Sequence, residues 1–419
     1  MDGVGLLGSG PGEAMTHSPE PSVLRRLCHW GPLLALSVIS VVSCAAVLDS
    51  LLWLWPLDSA GSMWNLMGLI GWTVLILYHY LRALVVGPGC VPIGWRPAKR
   101  EDEHFLQFCS VCQGFKAPRS HHCRKCNRCV MKMDHHCPWI NNCCGHQNHS
   151  NFTWFLLFAP LGCIYAAVIL VMTMYTQLYS RLSFEMTKMK IDMSVPQVSH
   201  VPFGISAFAA SLFALGLALG TTIAVGLLFC LQMKSILRNR TSVESWIEDK
   251  AKERISYYNL QEEFVYPYDL GSRWQNLREV FRPWGASFGD GITWHVREGC
   301  HQYNLTVEQL KQKADKQARA VVYSAVKRYS GSCLPVTAGW RAMTGIPCTE
   351  EPRLHLHPGD VIIVTRATKH WFYGERFTEG KSNGSDNGRG WFPKAFVDRL
   401  PDQMMPKMQT EMVENKKNA

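Results

Sequence analysis

Half of the sixteen cysteines in this 419-residue chain fall between Cys109 and Cys144, interleaved with four histidines. The order is Cys109-x-x-Cys112, then His121-His122-Cys123-x-x-Cys126-x-x-Cys129, then His135-His136-Cys137 and Cys143-Cys144. Thiolates two residues apart, completed by His or Cys further along, suit tetrahedral zinc. Two closed sites take eight ligands, so a segment offering eight Cys and four His has nucleophiles and bases left over. Pro138 biases Cys137 toward extended backbone, in which His135 and Cys137 point to one side and His136 to the other. If His136 binds metal, His135 and Cys137 face each other. An imidazole beside a thiol takes its proton, and the thiolate is what attacks. Asp134 could fix the tautomer of His135, but neighbours diverge along a strand, so that contact requires a bend.

The elements that must position this segment are four apolar runs: Trp30 to about Leu52, interrupted by Asp49; Met63 to Val86; Phe152 to about Leu178; and Phe203 to about Met233. Each exceeds the roughly 20 residues that cross a hydrocarbon layer, and Arg82 in the second can snorkel to an interface. The hydrophobic content of 47% is ordinary, but its segregation argues against a single soluble core and for an α-helical polytopic membrane protein. Arg96, Lys99, Arg100, Lys116, Arg119, Arg124, Lys125, Arg128 and Lys132 all lie between the second and third runs, and no Lys or Arg lies between the first two. The positive-inside rule makes that loop cytosolic, and four crossings return both termini to the same side. Disulfides rarely persist there, which favours metal. The net charge of +10 suits work against an anionic leaflet or an anionic ligand. No helix-length basic segment follows the cysteines, as a nucleic-acid finger would require, and no nucleic-acid partner is expected.

The string from Cys109 to Phe152, with Asp134-His135-His136-Cys137-Pro138-Trp139, Asn142-Cys143 and Gly145, closely resembles the cysteine-rich domain of the DHHC-type zinc-finger protein S-acyltransferases, or palmitoyltransferases. Gly87-Pro88-Gly89 stands for that family's Asp-Pro-Gly, and Thr241-Ser242-Val243-Glu244 for its Thr-Thr-x-Glu. Asp269-Leu270-Gly271 to Asn276 is similar to its C-terminal element, which packs on the catalytic loop. The resemblance implies two structural zinc ions, one held by Cys109, Cys112, His122 and Cys129, the other by Cys123, Cys126, His136 and Cys143. It leaves Cys137 as nucleophile, His135 as base and Asp134 as its orienter, with Cys144 read as packing. It implies acyl-CoA as co-substrate, with phosphate contacts from Lys116, Arg119 and His121, a reasonable donor set for anionic oxygens. The expected reaction is ping-pong: a palmitoyl or similar long acyl group passes from acyl-CoA to Cys137 and then to cysteines of membrane and cytosol-facing proteins. The acyl chain would lie among the spans in the bilayer. The competing reading is a zinc-stapled membrane adaptor without chemistry.

After the fourth run, residues 321–400 carry a β-rich pattern of short segments split by Gly-Asp and Gly-rich turns. The landmarks Ala325 to Tyr329, Gly359-Asp360-Val361, Trp371-Phe372 and Gly390-Trp391-Phe392-Pro393 resemble an SH3 domain. That resemblance places Tyr329, Trp371, Pro393 and Phe396 in a groove for a proline-rich or other protein ligand. Cys333 and Cys348 in its loops are candidates for S-acylation. Lys416 and Lys417, near the end of the sequence, resemble a dilysine retrieval signal and point to the endoplasmic reticulum membrane.

The expected organisation is a disordered cytosolic segment (1–23), transmembrane helices 1 and 2 (24–86), a catalytic cysteine-rich domain (87–151) and transmembrane helices 3 and 4 (152–233). A cytosolic segment packing on the catalytic domain (234–315), an all-β SH3-like barrel (316–400) and the dilysine tail (401–419) follow.

Overall fold

A computed structural model describes residues 22–54, 60–188, 202–281, 289–332, 336–349, 351–377 and 388–400. Cys333, Lys416 and Lys417 therefore lie outside the described residues. Two compact units emerge, each built from non-consecutive stretches: residues 1–91, 119–243 and 268–297 form one, and residues 92–118, 244–267 and 298–419 the other.

The first unit holds four helices long and apolar enough to cross a membrane: α1 (Trp30–Asp49, extended to Leu54 by a π-helical turn), α2 (Ala60–Val86), α3 (His149–Lys188) and α4 (Ile205–Ile236). Their outward faces are large and apolar, with Phe213 at 64% and Ile223 at 73% exposure. Water would penalise such a surface; hydrocarbon does not. Inward faces carry small residues that let backbones approach, as at Ala46, Ala214 and Ala218, all fully buried. Several buried polar groups pair across the helices. Asp49 accepts from Ser211 Oγ at 3.1 and 2.9 Å, Asn65 Nδ2 donates to Ser50 Oγ at 2.5 Å, and Tyr165 donates to Asn65 Oδ1 at 2.8 Å.

Between α2 and α3 the chain makes hairpins so short that hydrophobic burial alone cannot stabilise them. In this unit they are β3 (His121–Cys123) with β4 (Arg128–Val130), and β5 (His135–Cys137) with β6 (Asn142–Cys144). Gly87 and Gly89 take left-handed φ of 74° and 79°, so that Pro88 O and Gly89 O can accept from Gln147 N and Met131 N at 3.0 Å each. A side chain at Gly87 would start 3.7 Å from both Arg26 Nη1 and Asn142 Nδ2. Both donors instead reach Leu84 O, at 3.4 and 3.2 Å, so a backbone carbonyl takes the place of the carboxylate that the resemblance expects.

The second unit contains hairpin β1 (Phe108–Cys109) with β2 (Gly114–Phe115), most of helix α5 (Ser242–Tyr257) and helix α7 (Asn304–Ala318); α6 (Arg273–Arg278) belongs to the first unit. α5 and α7 are joined by Arg254, which donates to both oxygens of Glu308 at 3.1 and 2.9 Å. Beyond α7 comes an antiparallel sheet of five strands, β7 (Val321–Ala325), β8 (Val361–Ala367), β9 (Trp371–Arg376), β10 (Arg389–Pro393) and β11 (Val397–Arg399), in the order β10-β9-β8-β7-β11. Its core gathers Tyr329, Leu356, Ile362, Trp371, Phe392 and Phe396.

Candidate active site

The β5–β6 register sets His135 opposite Cys144, His136 opposite Cys143 and Cys137 opposite Asn142. Alternation then sorts the segment into two faces. On one, Cys123, Cys126, His136 and Cys143 bring one donor atom each within 4.8 Å of the others. The separations are 3.7, 3.5 and 3.6 Å from His136 Nδ1 to Cys123, Cys126 and Cys143 Sγ, and 3.5 Å between Cys126 and Cys143 Sγ. A tetrahedron with bonds of about 2.3 Å to sulfur and about 2.0 Å to nitrogen has edges of about 3.5–3.8 Å, so these donors fit zinc without rearrangement. Three thiolates so close would repel without a cation between them. On the β3–β4 hairpin His122 and Cys129 are likewise cross-strand partners, 3.9 Å apart. Cys109 and Cys112 are both buried on the β1–β2 hairpin of the other unit.

On the opposite face stand His135 and Cys137. Asp134 precedes β5 and escapes its alternation: its Oδ2 lies 2.7 Å from His135 Nδ1, and its Oδ1 accepts from Ser242 N–H at 2.6 Å. Its side chain is fully shielded from solvent, while that of His135 is 36% exposed. Burial opposes ionisation of the Asp134 carboxyl, but the hydrogen bonds from His135 and Ser242 hold it below the usual range. Burial likewise works against the imidazolium of His135, yet its hydrogen bonds to Asp134 and Cys137 raise it to about 10. A hydrogen bond from the Cys144 thiol pulls Cys137 down to about 5 against desolvation, with His135 and the Trp139 N–H adding to it. The resting pair is therefore thiolate and imidazolium, the reactive form of cysteine. Cys144 packs as expected, fully buried in a cluster with Cys137, Ile140 and Phe152. It also donates to Cys137, which side-chain size alone does not reveal.

Helices α1 and α2 fix the backbone around this thiol. Tyr80 OH donates to Trp139 O at 2.9 Å. Gly31 lies so close to Pro138 that a Cβ there would sit 2.0 Å from the Pro138 carbonyl oxygen. From Cys137 and His135 a cavity of about 890 Å³ extends among the four helices, lined by Val42, Ile76, Ala166 and Leu217 among others.

Arg119 is only 3% exposed. It donates to Asn239 Oδ1 at 3.1 Å and Asn239 O at 2.7 Å, and lies over the rings of Tyr268 and Trp294 at 4.3 and 4.8 Å. Asn239 in turn donates to Tyr268 O at 2.8 Å. This explains the Asp269–Asn276 element, whose Asn276 also donates to Leu237 O at 3.0 Å: it ties the end of α4 to the cysteine loop. His121 is half-buried, and Lys116 Nζ lies 3.3 Å from Gln107 Oε1.

In the C-terminal sheet Tyr329, Trp371, Pro393 and Phe396 adjoin, with ring centroids 5.4 Å apart for Tyr329 and Phe396. All four are buried. Trp371 Nε1 donates to Ala342 O at 2.9 Å, within helix α8 (Trp340–Thr344), and Arg353 lies 4.7 Å above the Trp371 ring. The chain's own loop thus covers the aromatic surface. Cys348 is exposed.

A family model described as DHHC palmitoyltransferase matches residues 102–249. Palmitoyltransferase ZDHHC6 of Bos taurus is 60% identical over 382 residues, covering 90% of this chain and 92% of that protein. The Homo sapiens protein of the same name gives the same identity and coverage, and that of Danio rerio is 60% identical over 380 residues, again 90% and 92% of the two chains.

Proposed function

Because the chain belongs to the DHHC palmitoyltransferases and is a protein S-acyltransferase, we propose that Cys137 carries the acyl group, with His135 as base and Asp134 as its orienter. One observation carries this assignment: Cys137 alone among the loop cysteines both pairs with an imidazole outside the metal-ligand face and opens onto the cavity between the helices. Its thiolate attacks the thioester carbonyl of a long-chain acyl-CoA. Coenzyme A leaves with the proton from His135, and an acceptor thiol then gives its proton to His135 and takes the acyl group. Thioester replaces thioester, so no energy source is consumed. Each buried methylene of the tail contributes about 0.8 kcal/mol. An adaptor without chemistry would need neither the activated thiol nor the cavity.

Two zinc ions would be held by Cys109, Cys112, His122 and Cys129 and by Cys123, Cys126, His136 and Cys143, closed sites that staple hairpins and supply no chemistry to the transfer. The resemblance implies Lys116, Arg119 and His121 as contacts for the coenzyme A phosphates, and of these Arg119 is already held inside the fold by Asn239, Tyr268 and Trp294. The cysteine loop and both termini face the cytosol, and Lys416-Lys417 returns the protein to the endoplasmic reticulum. The C-terminal sheet is an SH3-like module whose covered aromatic surface favours a structural or regulated role over a standing peptide groove, and Cys333 and Cys348 are candidates for acylation. Incubation of the purified full chain with labelled palmitoyl-CoA should give label that neutral hydroxylamine removes. Label persisting in Cys137→Ser with its zinc intact would overturn the assignment.

A further inference from the structure

Attack of a thiolate on a thioester carbonyl breaks the C=O π bond and places its electron pair on oxygen. Something must receive that charge, and in acyl transfer preorganised hydrogen-bond donors are the usual means. The Trp139 N–H is already given to the sulfur of Cys137, and His135 is engaged with Asp134 and Cys137. Near the thiol the cavity is walled mainly by apolar side chains, among them Phe152 and Leu156, but α4 contributes one amide to the same wall, that of Gln232.

Gln232 is 8% exposed, and its side chain makes one hydrogen bond, at 2.6 Å between its Nε2 and Nε2 of His149, which is itself 4% exposed. Two donors cannot face each other. Either His149 Nε2 is bare and accepts an amide N–H, or the amide is turned over and its oxygen accepts from His149 Nε2–H, an assignment that rests on hydrogen-bond logic. The short separation suits the second. In both arrangements at least one amide N–H is not taken by His149 and is left for another acceptor. Gln232 lines the cavity, so that N–H is available to a ligand there. One turn earlier on α4, Phe229 packs against the cluster that contains Cys137, so α4 presents Gln232 close to the reacting end of the cavity.

We propose that Gln232 donates its free amide N–H to the carbonyl oxygen of the acyl group at Cys137, stabilising the oxyanion in both half-reactions, and that His149 is the positioning residue that aims it. The proposal rests on Cys137 as the acylated residue. In the first half-reaction the Cys137 S–C bond forms, the carbonyl pair moves to oxygen under the Gln232 N–H, and its return expels coenzyme A thiolate, which takes the His135 proton. The second half-reaction repeats this with the acceptor thiolate entering and Cys137 leaving. A hydrogen bond that strengthens as charge develops raises the rate without tightening substrate binding.

The test uses the full chain in lipid nanodiscs with palmitoyl-CoA, following single-turnover acylation together with zinc content and melting temperature. Gln232→Met keeps the bulk and removes the donor. It should slow acylation by about 10²-fold, with the half-saturating acyl-CoA concentration moved less than about threefold and zinc unchanged. Gln232→Glu, which sets a carboxylate against the oxyanion, should be at least as slow. His149→Phe should be slow as well, and the double variant His149→Phe with Gln232→Met no slower than Gln232→Met alone, since both remove one contact. A zinc-replete Gln232→Met or Gln232→Glu enzyme within about threefold of the parent rate overturns the proposal, as does a loss that lies wholly in acyl-CoA affinity. Cys137→Ser in parallel separates the two claims: label retained there refutes the nucleophile, whereas label lost there with Gln232→Met fully active refutes only the oxyanion donor.

Discussion

Asp134→Asn is the substitution whose consequence follows most directly from the geometry. The Ser242 N–H can only donate, so the oxygen of an asparagine must stay at the Oδ1 position, 2.6 Å away. That turns the amide NH2 toward His135 Nδ1, where a carboxylate oxygen now lies at 2.7 Å. Nδ1 must then become the acceptor and the proton moves to Nε2, leaving the imidazole without a lone pair for the Cys137 thiol. Loss of the charged hydrogen bond alone is worth about 1.5–3 kcal/mol, or about 10- to 150-fold at about 1.36 kcal/mol per decade. The wrong tautomer adds to this, and the same exchange in a Ser-His-Asp triad costs about 10⁴-fold. Asn is isosteric, so zinc content and melting behaviour should hold while single-turnover acylation falls by more than about a hundredfold. A zinc-replete Asp134→Asn enzyme that keeps a tenth of the parent rate would refute the orienting role.

Further substitutions separate the two faces of β5. His135→Ala should keep its zinc, measured by elemental analysis, yet lose at least about 10² in acylation rate, whereas His136→Ala should release one zinc and melt at a lower temperature. Gly31→Ala should displace the Pro138 carbonyl and slow acylation by about tenfold or more through misplacement of Cys137; Gly61→Ala, where a Cβ meets nothing within 4 Å, should leave the rate unchanged, and equal rates in the two would count against the Gly31 contact. Trp371→Ala removes a wholly buried ring and should cost the C-terminal sheet about 3–5 kcal/mol, seen as proteolysis within residues 321–400, while Trp340→Ala, 75% exposed, should not.

Length and scarcity of charge located the four spans, because hydrocarbon tolerates little else, but not their ends. Helix α3 begins at His149 and runs to Lys188, beyond the apolar stretch from Phe152 to about Leu178, since helical hydrogen bonding continues past the point where side chains turn polar. Alternation along a strand sorted His135 and Cys137 from His136, as the β5–β6 register requires. The Asp134 contact needed a backbone departure that residue types do not encode. Arg119 reads in sequence as one more basic residue, and only a partner 120 positions away, Asn239, reveals its buried tie. Gln232 and His149 are 83 positions apart, and no spacing in the sequence pairs them. Tyr329, Trp371, Pro393 and Phe396 lie together in the C-terminal sheet, but the cover over Trp371 comes from an irregular loop whose path no periodicity dictates.

The cavity among the helices has a further consequence for an enzyme that works inside a bilayer. A pocket of about 890 Å³ walled by Val, Ile, Leu and Ala does not distinguish a fatty chain that arrives on coenzyme A from one that belongs to a phospholipid, since dispersion and desolvation act on methylenes alike. The surrounding membrane is thus a reservoir of tails that can enter the same space. Under the proposed role of Cys137, occupancy between turnovers is then a competition decided at the head of the chain, where only a thioester has chemistry to offer that thiol.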